Sequence, residues 1–355
     1  MKKKSTIILL FMILSSALSS GGKHNTTALA SVFPSKSEIV MELDSGRILS
    51  EYNPDEKLPM ASTTKIVTAL TVIENYDLKK VIKVSPETTG TEGSSVYLKA
   101  GDEFTTLDLL YGLMLRSGND CAETLAVAVA GSVNGFCEMM NRTAKKYGAE
   151  SSSFKNPHGL PCDGHYTTAR DLCNITRYAL KNQTFSTIVA TKKYVAEELS
   201  GKTKIVWYNK NKLLSSYDGA NGVKTGYTEE SGKCYAGSAI RNGMQLVGVM
   251  LDCPQTYERC KKLFSDAFNN YRMVKIVDRN KFDYVGFTER GMPVKLVIRE
   301  DFIYPIKRSE KLVCEQILPK TLPIGIKNGE EAGEIKIYSS KQLIFSQKIY
   351  TLIDT

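Results

Sequence analysis

The sequence predicts an α/β (α+β) chain that ends in a small all-β domain, and three features carry the prediction. Helix-spaced apolar runs occupy its first two thirds, hairpin signals bracket them, and short β-branched runs take over after about Val274. At 355 residues, 42% hydrophobic and 24% charged, the chain is long enough for about two domains with a substantial core.

Met1-Lys2-Lys3-Lys4 followed by the apolar run from Ile7 to Leu14 reads as a secretory signal peptide, since the run is short for a membrane span. Two small-x-small sites follow, Ala17-Leu18-Ser19 and Ala28-Leu29-Ala30. We place cleavage after Ala30, giving a signal over 1–30; an uncleaved N-terminal anchor is the alternative. Either way the folded part is expected outside the cytoplasm, secreted or in the cell envelope.

From Glu38 to Asn53 the residues alternate around Asp44-Ser45-Gly46, a β-hairpin pattern. Pro59-Met60-Ala61-Ser62 then opens a helix whose Ile66, Val67, Ala69, Leu70, Val72 and Ile73 form a broad apolar face, so this helix should be buried. Further helices are expected over Thr106–Leu115, Asp120–Ala130, Val133–Tyr147, Thr168–Lys181 and Tyr257–Tyr271. Strands are expected over Asp218–Tyr227, Cys234–Ile240 and Met244–Leu251, the last two joined by Arg241-Asn242-Gly243. Val294–Ile298 and Glu334–Tyr338 belong to the C-terminal β domain, which sets domains at 31–273 and 274–355. Nothing amphipathic follows Tyr350, so no C-terminal membrane anchor is expected.

The net charge of +9 includes Lys2, Lys3, Lys4 and Lys23 of the signal, and the other lysines are scattered, which argues against a nucleic-acid partner. Eight cysteines lie far apart, with no CxxC pair or Cys/His cluster, so we expect buried free thiols with at most one or two bridges, and no metal. Only three histidines occur. His158 reads as a turn residue and His165 as exposed, and without a Gly-x-Ser-x-Gly elbow a Ser-His-Asp hydrolase is disfavoured.

Three motifs carry the chemistry: Ser62-Thr63-Thr64-Lys65, Ser117-Gly118-Asn119 and Lys224-Thr225-Gly226. A spacing of three on a helix lets the Lys65 amine reach the Ser62 hydroxyl, which is a poor nucleophile until a base takes its proton. Burial, the helix dipole and a second cation at Lys224 would each lower the Lys65 pKa toward that role. Ser117 can relay a proton and Asn119 hold a substrate amide. Gly226 permits close approach to a strand edge where Lys224 and Thr225 offer donors to a carboxylate. Any one motif is weak, since Ser20-Gly21-Gly22-Lys23, Ser152-Ser153-Phe154-Lys155 and Ser132-Val133-Asn134 also fit; order, spacing and context raise the set above chance.

Together with Asn156-Pro157-His158-Gly159-Leu160, Tyr166 to Asp171, Asn209 to Leu214 and Asp218 to Thr228, these motifs resemble the low-molecular-mass penicillin-binding proteins, the serine D-Ala-D-Ala carboxypeptidases, over residues 37–351. The resemblance implies a β-lactamase/transpeptidase-like fold, a helix-flanked antiparallel sheet followed by a β-rich domain, without a cofactor. It implies that Ser62 is acylated by a peptidoglycan stem peptide ending in D-Ala-D-Ala, releasing the terminal D-alanine, and that β-lactam antibiotics acylate it too. Lys65 would be general base, assisted by Ser117, Asn119 and Lys224. The backbone N–H groups of Ser62 and Tyr227 would form the oxyanion hole, and Thr225, Gly226 and Lys210 would line the subsite for the terminal carboxylate. Many relatives carry arginine at the position of Lys210, so its bidentate contact would be lost. A β-lactamase, an endopeptidase or transpeptidase, and a non-catalytic penicillin-binding sensor are the alternatives. Against the first stands the absence of any Leu-Asn pair, which a Glu-x-x-Leu-Asn element requires.

Overall fold

The computed structural model describes residues 5–9 and 35–353. Apart from 5–9, the expected signal peptide and both cleavage sites fall outside these residues. Ser5–Leu9 runs antiparallel to Leu312–Leu318.

The chain divides between Asn269 and Asn270 into two compact units. In the first, five antiparallel strands stand in the order Ile48–Tyr52, Ser37–Glu42, Met244–Leu251, Gly232–Arg241, Ala220–Thr228. The hairpin expected around Asp44-Ser45-Gly46 supplies two of them. Arg241-Asn242-Gly243 turns two more, with Asn242 and Gly243 at φ 49° and 75°, the left-handed values such a tight turn needs. Residues on alternate sides of Met244–Leu251 meet different partners: Val247, Val249 and Leu251 join one core with Leu172, Cys173 and Ile175 of the Ala169–Lys181 helix, while Gly248 faces the Phe264 ring of the Thr256–Asn270 helix. The sheet therefore has helices on both faces, as the resemblance implied.

The Lys65–Asn75 helix packs against the Asn119–Ala130, Val133–Lys146 and Ala169–Lys181 helices, and every residue from Lys65 to Val72 is buried. Its sequence accounts for this: apolar residues and threonines occupy those positions, and its one cation is held at the N-terminal end. The expected helix over Thr106–Leu115 departs from the reading. It is α-helical over Thr106–Tyr111, opened by a Thr105/Asp108 capping box, and widens to a π-turn over Gly112–Arg116 that delivers Ser117 at φ 66°. The Gln183–Ala190 helix, capped by Asn182, had no counterpart in the sequence reading.

The second unit is β-rich. Its six-stranded antiparallel sheet contains Leu312–Leu318, Glu331–Ser339, Gln342–Leu352, Pro293–Val297 and Tyr284–Phe287, and a separate pair joins Tyr271–Val277 to Phe302–Lys307. Val294, Leu296, Ile335, Ile337 and Ile349 centre its core. Among the described residues no helix is long and apolar enough to cross a membrane. All eight cysteines are free, as expected, and six are buried; Cys162, which is exposed, and Cys314, half-buried, depart from the expectation of buried thiols.

Candidate active site

Ser62 and Lys65 straddle a junction. Ala61–Thr64 forms a 3-10 turn and Lys65 begins the buried α-helix. The turn is entered through Ala61 at φ 47°, an uncommon conformation for a residue with a Cβ. The 156–160 loop grips it from outside: Thr68 Oγ1 donates to the Pro157 carbonyl at 2.6 Å, and Gly159, at φ 95°, lies so close that a Cβ there would meet the Ala61 carbonyl oxygen at 2.0 Å.

The Lys65 Nζ has three neighbours: Ser62 Oγ at 3.0 Å, Asn119 Oδ1 at 2.6 Å and the His158 carbonyl oxygen at 2.7 Å. Lys65 is fully buried, and burial, followed by the charge of Lys224, holds its amine well below the usual lysine range. A neutral amine has two N–H donors and one lone pair. Asn119 and His158 present only carbonyl oxygens and so take both donors, which leaves the lone pair for the Ser62 hydroxyl proton. Asn119 is fixed in turn, because its Nδ2 donates to the Glu92 carbonyl at 2.5 Å and its backbone N–H to Ser94.

Lys224, on the sheet-edge strand Ala220–Thr228, reaches Ser117 Oγ at 3.0 Å and the Thr225 carbonyl at 2.9 Å. Burial, with the Lys210 charge second, brings its pKa down to about 7. Lys210 donates to Ser94 Oγ at 3.4 Å, and its own pKa is lowered by burial and by Arg116. Gly226 closes the arrangement: a Cβ there would sit 2.9 Å from the Ser62 nitrogen and 3.1 Å from the Met60 carbonyl oxygen. The strand edge carrying Tyr227 therefore lies along the Ser62 amide. The Tyr227 side chain is 64% exposed, and a cavity of about 270 Å³ is lined by Thr225, Gly226, Tyr227, Lys233 and Tyr257.

The structure thus gathers Ser62, Lys65 and Asn119 at one amine, and joins Ser117 to Lys224 beside it. Lys210 and Tyr227 flank this group without a hydrogen bond to it. Sequence reasoning missed the carbonyls of His158 and Glu92, which no side-chain pattern announces. It also misplaced His165. That ring is buried, with Nδ1 accepting from the Lys155 N–H at 3.0 Å and Nε2 2.9 Å from Thr64 Oγ1, because it seats under the Ala61–Thr64 turn against Phe154. His158 is also buried, its Nε2 3.1 Å from Glu123 Oε1. Neither imidazole bonds to Ser62, so a Ser-His pairing is not formed.

Residues 24–255 match the family model described as D-alanyl-D-alanine carboxypeptidase, peptidase S11. The D-alanyl-D-alanine carboxypeptidase DacF of Bacillus subtilis is 30% identical over 324 residues, 87% of this chain and 83% of that protein. Among solved structures, penicillin binding protein 5 of Haemophilus influenzae superposes with a TM-score of 0.76 at 24% identity, covering 92% of this chain and 98% of that one. The Streptomyces K15 DD-transpeptidase gives 0.63 at 32% identity, covering 66% and 97%. With the family model spanning well over half its length and a relative of this similarity along most of the rest, the chain belongs to the D-alanyl-D-alanine carboxypeptidase family of serine peptidases.

Proposed function

We propose that this protein is a serine D-alanyl-D-alanine carboxypeptidase acting on peptidoglycan stem peptides, with its catalytic unit ending near Asn269. The observation that carries the reading is the Lys65 amine, fully buried and shared between two carbonyl oxygens and the Ser62 hydroxyl. Ser62 Oγ gives its proton to Lys65 and bonds to the carbonyl carbon of the penultimate D-alanine. The oxyanion faces the backbone N–H groups of Ser62 and Tyr227. Collapse breaks the C–N bond, the departing D-alanine amine takes a proton through the Ser117–Lys224 pair, and water then cleaves the Oγ–acyl ester. Thr225, with Lys210 at longer range, receives the terminal carboxylate.

A β-lactam presents a strained amide to the same hydroxyl, so penicillin acylates Ser62 and blocks the site. Action on the cell wall, together with the charged, apolar N-terminus, supports an enzyme that works outside the cytoplasm after export by a signal peptide. The test is release of D-alanine from a D-Ala-D-Ala pentapeptide by the wild type and by Ser62→Ala. Release by the wild type alone supports the reading; equal release by both overturns it, and penicillin labelling without any release points to a sensor.

A further inference from the structure

Behind Lys65, Asn119 and the His158 carbonyl lies a part-buried contact between the His158 ring and Glu123 that the proposed reaction does not use. Glu123 lies one helical turn after Asn119 on the same Asn119–Ala130 helix, so both side chains project from one face. Asn119 Oδ1 takes one N–H of the Lys65 amine, and the His158 carbonyl takes the other. The His158 ring is held at both nitrogens: Nδ1 accepts the Leu160 N–H at 3.2 Å, which places the proton of the neutral ring on Nε2, and Nε2 donates to Glu123 Oε1 at 3.1 Å. The His158 and Gly159 N–H groups both donate to Asn156 Oδ1, at 3.3 and 2.7 Å. Lys65, Asn119, Glu123 and His158 therefore close a ring in which one helix fixes both acceptors of the amine, one directly and one through the imidazole.

We propose that Glu123 is a positioning residue of this enzyme: by anchoring the His158 ring it sets the loop carbonyl that turns the Lys65 lone pair toward Ser62. The inference rests on the function proposed above. The bland alternative is that the pair only ties a loop to a helix. That alternative predicts a change in melting temperature without a selective change in turnover.

The geometry separates the two. Without Glu123 the Nε2–H loses its acceptor, the ring can rotate, and the carbonyl drifts from the amine. Glutamine at 123 still offers an Oε1 to the same N–H. The experiment compares the wild type with Glu123→Ala, Glu123→Gln, His158→Ala and the double variant Glu123→Ala/His158→Ala, measuring kcat and KM for D-alanine release and the rate of penicillin acylation. Glu123→Ala should lower kcat and the acylation rate about five- to ten-fold, the effect of losing one part-buried hydrogen bond, with KM within about two-fold. Glu123→Gln should restore both rates, and in the His158→Ala background the Glu123 substitution should add nothing. Unchanged rates in Glu123→Ala, a failure of glutamine to restore them, or additive losses in the double variant would each overturn the proposal. Should the wild type acylate with penicillin yet release no D-alanine, the functional reading fails while the acylation rates still decide the role of Glu123.

Discussion

A methyl group on Gly226 would sit 2.9 Å from the backbone nitrogen of Ser62, and the same Cβ would lie 3.1 Å from both the Ala61 Cβ and the Met60 carbonyl oxygen. Those neighbours are backbone and a rigid alanine, which cannot swing aside. Gly226→Ala must therefore push the strand edge away from the Ala61–Thr64 turn. Displacement of about 1 Å in such a site costs on the order of 100-fold in rate. We predict a loss of that order in fluorescent-penicillin labelling for Gly226→Ala, while far-UV circular dichroism remains that of the folded protein. Labelling at the wild-type rate would show that the strand edge takes no part in acylation.

The two buried lysines make a prediction about pH. In the proposed reaction Lys65 would act as a base only when neutral, so acylation should rise as pH climbs through its pKa. That value is depressed first by burial and second by Lys224. Replacing Lys224 by methionine removes the second effect and lets Lys65 hold its proton to higher pH. The acid limb of the acylation profile should then move up by about one unit, since neighbouring charges shift pKa values on that scale. A limb that stays in place, or moves down, would show that Lys224 does not set the protonation of Lys65. In the same assay Lys65→Ala should give folded protein that penicillin fails to label.

Much of this site was legible because its side chains are spaced by regular elements. A serine and lysine three apart at the mouth of an apolar helix, and Lys224 and Gly226 two apart on a strand, point the same way whatever the distant chain does. Backbone groups left no such trace. The His158 carbonyl meets Lys65 across 93 residues and the Glu92 carbonyl meets Asn119 across 27. His165 reads as exposed in the sequence, yet the fold turns that ring inward to Thr64. The π-turn over Gly112–Arg116 leaves no sequence trace for a related reason: Leu113, Met114, Leu115 and Arg116 are ordinary helix formers, and the widening shows only in the hydrogen bonds.

Lys210 offers a gain of function. Its Nζ stands 3.4 Å from Ser94 Oγ, close enough to Lys224 to lower that pKa, yet as a single ammonium it binds one carboxylate oxygen well. A guanidinium at the same position presents a fork to both oxygens. Lys210→Arg should lower KM for a D-Ala-D-Ala peptide by about three- to ten-fold, corresponding to about 1 kcal/mol from a charge-assisted hydrogen bond. Lys210→Ala should raise KM by a similar factor with kcat less affected. If neither substitution moves KM, the terminal carboxylate is bound elsewhere.

His165 links the Ala61–Thr64 turn to acid stability. Its Nδ1 accepts the Lys155 N–H, so the folded protein holds the ring neutral; burial, with His158 nearby, depresses its pKa from 6.5 to about 4. In the unfolded chain the ring takes up a proton near pH 6.5, so between that value and about 4 the unfolded state binds more protons than the folded one. Stability from this group is complete above about pH 6.5 and is lost as pH falls through the folded pKa. The depression amounts to about 3 kcal/mol, at 1.36 kcal/mol per pKa unit. Urea unfolding should therefore show wild-type stability falling between pH 7 and 4.5 more steeply than that of His165→Gln, which has no proton to gain. Because Thr64 accepts from this ring and stands between Ser62 and Lys65, penicillin labelling of the wild type should also decline irreversibly after incubation at acid pH sooner than that of the variant. Parallel stability curves for the two proteins would mean that His165 already binds its proton in the folded state, and the neutral ring under the Ala61–Thr64 turn would have to be abandoned.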